Sequence, residues 1–215
     1  MSAGAQHDGG VADRVDPLPV VRHERLHHGR IFDLVRDEVD LGAEGVVTRE
    51  YLDHPGAVAV VALDDDECVL LLRQYRHPMR SYLWEVPAGL LDVDGEASLD
   101  AAVRELAEEA DLVARQWDVL VDYATSPGGS NEAVRVYLAR GLTMVPDHER
   151  HVRTAEEADM EPRWVPLDEA VGLVLGGQLH NPSTVVGILG AAAGRAQGWA
   201  SLRPTDAPWP QRREG

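Results

Sequence analysis

The sequence predicts a mixed α/β or α+β domain, and three observations carry that expectation. Short apolar runs that read as strands are spread along the chain. Between and after them stand a few segments with the 3.6-residue period of a helix. The length, 215 residues, suits one domain, or one domain with an added dimerisation segment, and is enough to bury a sizeable core.

In chain order, residues 1–16 have few large apolar side chains and no periodicity, and read as a disordered tail. From Val20 to about Leu52 short strands are expected, including Ile31 to Val35 and Val46 to Tyr51, separated by the turn at Gly42 and Gly45. Ala57 to Leu63 reads as a buried strand. The polar turn from Asp64 to Glu67 then leads into a strand from Cys68 to Leu72, so that the pair forms a hairpin. Ser98 to Ala110 is the clearest helix, with Ser98 as its N-cap. At about 100° per residue from Leu99, its apolar residues Ala102, Val103, Leu106 and Ala110 fall on one narrow face. Trp117 to Tyr123 and Ala133 to Leu138 read as strands flanking the loop from Thr125 to Glu132. A second helix is expected over Leu167 to Leu175, and a third from Pro182, a good first-turn residue, to Gln197. The prolines at 204, 208 and 210 mark residues 203–215 as a flexible C-terminal tail.

Composition removes several function classes. The 20 basic residues are all arginine and face 37 acidic ones, a net charge of −17, which argues against a nucleic-acid partner because phosphate affinity comes from clustered cations. No apolar run approaches about 18 residues, so no membrane-spanning helix is expected. The start lacks a signal-peptide pattern, and the lone Cys68 supplies neither a disulfide framework nor a cysteine-built zinc site, so a cytoplasmic location is expected. Cys68 reads as a small buried hydrophobe, and the adjacent His27 and His28 do not share a face from which to bind metal.

The chemistry concentrates on the first helix. On the same helical projection Glu105, Glu108 and Glu109 share one face, turned away from the apolar stripe. A solvated surface accounts for many such runs. Here Arg104 stands four residues before Glu108, whereas Glu105 and Glu109 repel one another at the same spacing. Such oxygen ligands suit Mg²⁺ or Mn²⁺, hard ions that act with substrate phosphates.

Gly89-Leu90-Leu91-Asp92-Val93-Asp94-Gly95-Glu96, seven residues, then Arg104-Glu105-Leu106-Ala107-Glu108-Glu109-Ala110-Asp111-Leu112 resembles the Nudix box, G-x5-E-x7-R-E-U-x-E-E-x-G-U with U apolar. It departs twice. Six residues instead of five separate Gly89 from Glu96, and Asp111 replaces a glycine that ends the helix in a left-handed conformation, at a cost of about 1 kcal/mol. The resemblance implies an α/β/α sandwich around a mixed sheet, plus a small N-terminal β region over residues 17–52 that swaps across a homodimer, with the hydrolase domain over 53–202. It implies Glu105 and Glu109 as metal ligands, Glu108 as a ligand or a group held behind the ligands, Arg104 as the residue orienting them, and the Ala88 carbonyl as a further ligand to Mg²⁺ or Mn²⁺.

Arg73-Gln74-Tyr75-Arg76-His77, Leu83 to Asp92, and Pro127 placed 15 residues after Leu112 are similar to the ADP-ribose pyrophosphatase branch of that family. A diphosphate calls for cations that stay charged and bind in a bidentate way, which makes Arg49 and Arg76 candidates for the phosphates or terminal ribose. Glu132 is a candidate acceptor for ribose hydroxyls, against an ordinary exposed loop acid; Trp84 reads as core packing. The stretch from Thr154 to Met160 resembles the acidic loop that supplies the general base in this branch, with Glu157 favoured over Glu156. The expected reaction is metal-dependent hydrolysis of ADP-ribose to AMP and ribose 5-phosphate. The alternatives are hydrolysis of GDP-mannose or another nucleoside diphosphate sugar, and a non-catalytic nucleotide sensor.

Overall fold

The computed structural model describes residues 10–151 and 160–212. Three strands come first, β1 (Val20–His28), β2 (Asp33–Asp40) and β3 (Val46–Asp53), and pair antiparallel in that order. They form a small sheet of their own. It meets the rest of the chain at Leu52, whose N–H and carbonyl bond Gly129 and Asn131.

The body contains β4 (Ala57–Ala62), β5 (Cys68–Arg76), β6 (Ser81–Glu85), β7 (Ala88–Leu90), α1 (Ser98–Ala110), β8 (Leu112–Ala124), β9 (Ala133–Met144), β10 (Glu161–Pro166), α2 (Leu167–Leu175) and α3 (Pro182–Ala196). A mixed sheet runs β7-β4-β9-β8, with β4 parallel to β9, and an antiparallel sheet runs β10-β5-β6. Alternation along β4 shows how the layers form. Val58, Val60 and Ala62 pack toward α1 with Leu106, while Ala59 and Val61 pack toward α2 and α3 with Leu167 and Ile188. Every one of these is fully buried, because a strand covered on both faces has no polar side to show. The result is an α/β/α sandwich, as the resemblance to the Nudix box implies.

Four local expectations need correction. The turn after β4 does form, with Leu63 bridged to Val69. The strands it joins then part into different sheets, so they are not a hairpin. Ser98 is the first residue of α1 rather than its cap. The cap residue is Ala97, and the Ser98 hydroxyl is 2.8 Å from that of the buried Tyr137. The narrow stripe on α1 is rotated: Val103 is exposed, and Ala101 is buried instead.

The fourth correction concerns the C-terminal segment. Residues 203–209 are not a free tail. Arg203 exchanges two backbone hydrogen bonds with Val119, and Ala207 is buried against the α1 side of the core. Arg135 on β9, 2% exposed, explains the anchoring: its guanidinium holds Asp122 at 2.8 and 3.0 Å and donates to the carbonyls of Ala207 and Pro208 at 2.9 and 3.1 Å. The Trp209 ring lies 4.7 Å from it. Prolines free the segment from regular structure, but a buried arginine with carbonyls in reach fixes it. Arg135→Ala is expected to cost about 3 kcal/mol of stability, since Arg203 still holds Asp122, and a urea-unfolding midpoint unchanged from the parent would contradict this.

Candidate active site

The acid-bearing helix is positioned by its two ends. At the C-terminus Asp111 adopts φ 54° and ψ 35°, the left-handed conformation that a glycine supplies without strain, and its N–H closes on Ala107 at 3.1 Å. The substitution is therefore accommodated. At the other end the Leu91 to Ala97 loop returns Glu96 to Arg104, whose Nε and Nη2 hold its carboxylate at 2.9 and 3.1 Å. Nη1 of Arg104 donates to Glu105 at 2.6 Å and to Glu108 at 3.2 Å. The hydrogen bonds that the guanidinium donates to Glu96, followed by the charge of Glu105, hold its pKa above its ordinary value; the same bonds hold the Glu96 carboxyl below the usual range.

The three helix acids do not form a solvated face. Glu109 is 9% exposed, and one of its oxygens accepts the Ala88 N–H at 3.0 Å. Glu105 lies against Gly89: a Cβ built there would stand 2.0 Å from its carboxyl carbon and Oε1. Thus β7 carries a main chain that receives both carboxylates, and glycine at position 89 makes the room. The helical projection turns these acids away from the apolar stripe; the rotation of the helix puts Glu105 and Glu109 at the rim of the buried face.

A cleft of about 620 Å³ opens beside this strand. Ala88, Gly89, Arg76, Glu85, His54, Tyr123 and Glu132 line it. Arg76 is held in bidentate fashion by Glu85, at 2.9 and 2.6 Å. Glu132 accepts the Thr125 hydroxyl at 2.8 Å. Burial, the largest effect, pushes the Tyr123 hydroxyl up to about 12, and that hydroxyl sits 2.7 Å from the hydroxyl of Ser183 at the start of α3. Arg76 and Glu132 thus line one cleft with Ala88, whereas Arg49 does not join them. It lines a separate cavity with Leu18, Tyr51 and Pro127, and donates to its neighbour's carbonyl, that of Thr48. Glu156 and Glu157 lie outside the described residues. Cys68 carries no nucleophile signature, since burial and then Asp64 and Asp66 push its thiol upward.

Sequence reasoning missed Glu85 and His54 as parts of the cleft. Neither falls in the acid-rich motif; pairing of β5 with β6, which sets Leu72 opposite Glu85, and the turn after β3 bring them there.

The NUDIX domain model matches residues 53–184, more than half of the chain. The chain belongs to the Nudix hydrolase family. Over 189 residues it is 48% identical to the ADP-ribose pyrophosphatase of Mycobacterium tuberculosis, covering 88% of this chain and 89% of that protein. It is 32% identical over 168 residues to the ADP-ribose pyrophosphatase of Bacillus subtilis, covering 78% and 89%. A crystal structure of an ADP compounds hydrolase superposes with a TM-score of 0.69 at 21% identity, covering 88% of this chain and all of that one, and shows the same fold.

Nudix hydrolases depend on a divalent metal, so this Nudix site must offer hard donors. The donor set fits: three glutamates on one helix face and a main-chain strand against which two of them lie. Among the described residues no three His, Cys, Asp or Glu side chains are gathered tightly enough to grip an ion as they stand, and Arg104 takes oxygens of both Glu105 and Glu108.

Proposed function

We propose that this Nudix hydrolase cleaves the diphosphate of ADP-ribose to give AMP and ribose 5-phosphate, with Mg²⁺, or Mn²⁺ in its place, as the ion. The observation that carries this reading is the 48% identity to an ADP-ribose pyrophosphatase across nearly the whole length of both chains. The side chains of Glu105, Glu108 and Glu109 and the Ala88 carbonyl would hold the metal, and Arg104 would orient the carboxylates. When bound, the metal neutralises phosphate oxygens and makes the phosphorus open to attack.

The chain's own residues divide the remaining work. Arg76, fixed by Glu85, presents a planar cation to the diphosphate, and Glu132 accepts from a ribose hydroxyl. Glu157 takes the proton from the attacking water. The substrate is a small nucleoside diphosphate sugar, and the compartment we assign is the cytoplasm, in keeping with a single cysteine.

Arg49 completes the site in this reading from a second copy of the chain, since within one chain it lines a different cavity from Arg76. Exposed Val20, Val21 and Val46 on the N-terminal sheet support such an exchange over residues 17–52. Light scattering is expected to give twice the chain mass of 23.5 kDa, and a value near 23.5 kDa contradicts the homodimer. For the substrate, kcat/KM is compared for ADP-ribose, GDP-mannose and other nucleotide sugars. ADP-ribose is expected to lead, and turnover of GDP-mannose alone removes the substrate assignment while leaving the chemistry.

A further inference from the structure

His54 sits where β3 ends and the chain turns at Gly56, with φ +86°, into β4. Its side chain is only 11% exposed. The backbone N–H donates to Asn131 Oδ1 at 2.8 Å, and the Asn131 N–H in turn donates to Leu52, so this corner is pinned to the loop that carries Glu132. The ring is pinned as well. Its Nδ1 lies 3.0 Å from the Gly56 nitrogen, whose N–H it accepts, which places the proton of the neutral ring on Nε2. That nitrogen lies 3.9 Å from Glu132 Oε1, while the other Glu132 oxygen is engaged by Thr125.

The spacing of 3.9 Å is too long for a direct hydrogen bond. It suits a single oxygen that contacts both groups. A sugar hydroxyl is such an oxygen, because it donates to a carboxylate and accepts from an N–H at once. Phosphate oxygens cannot donate, and Glu132 would repel them. Both residues line the cleft that also holds Ala88 and Arg76.

We propose that His54 Nε2–H and the Glu132 carboxylate form a donor and acceptor pair that reads one 2- or 3-hydroxyl of a substrate ribose, making His54 a specificity-determining residue. This rests on the ADP-ribose reading and adds to it a residue and a recognised group. The test measures kcat and KM for the parent, His54→Phe and His54→Gln on ADP-ribose and on two analogues, each lacking the 2-hydroxyl of one ribose, and on two more lacking the 3-hydroxyls. His54→Phe is expected to lose about tenfold in kcat/KM on ADP-ribose, mostly in KM, and to lose nothing further on the one analogue that lacks the hydroxyl it reads. His54→Gln, which offers an amide N–H near the Nε2 position, is expected to recover most of the loss. An equal loss by His54→Phe on every substrate, or no loss on ADP-ribose, overturns the proposal while leaving the reaction intact. Absence of ADP-ribose turnover by the folded parent overturns both.

Discussion

Glu109→Gln is expected to lower the turnover of ADP-ribose by at least about 100-fold, more than is lost when a residue behind a metal ligand is changed. The substitution removes a charge and little else. Glu109 is buried and accepts the Ala88 N–H, and glutamine, with the same shape and a carbonyl oxygen, can keep that bond. Folding should therefore change by no more than about 1 kcal/mol. Steady-state rates beside thermal melting separate the two effects. Near-normal rates in a folded Glu109→Gln protein would remove Glu109 from the metal site.

Gly89→Ala is expected to cost turnover by a similar factor through a different route. One methyl group at this position would stand 2.0 Å from the Glu105 carboxylate. The obstructed group is the far end of a flexible side chain, so the fold can absorb the change by letting Glu105 swing away. The loss should thus fall on catalysis while the melting temperature stays close to that of the parent. A larger Mg²⁺ requirement is the accompanying sign, read from the rate as a function of ion concentration. Unchanged rates would mean that Glu105 does not work from beside Gly89.

The legible part of this molecule is the part encoded locally. The helix over Ser98 to Ala110 was readable because its acids and apolar residues repeat at helical spacing, and its bounds match. The left-handed Asp111 was readable because it stands where the Nudix box has a glycine that ends the helix in that conformation. What the sequence did not show depends on residues far apart. Arg135 draws the proline-rich end of the chain onto the body across more than 70 positions, and no local pattern announces a buried arginine with carbonyl partners. The rotation of α1 that buries Glu109 depends on what the helix packs against, including the strand whose Ala88 N–H the carboxylate accepts, and not on the helix itself. Likewise no local pattern singles out Glu85, which joins the cleft because the pairing of β5 with β6 brings it to Arg76.

The most direct test of the central claim is the rate of AMP release from ADP-ribose by the full chain as Mg²⁺ is titrated in, with a chelated control. A site built from Glu105, Glu109 and the strand beside them predicts saturable, ion-dependent AMP formation that vanishes with the chelator. AMP release that is indifferent to the metal, or none at all from folded protein at saturating ion, would contradict it.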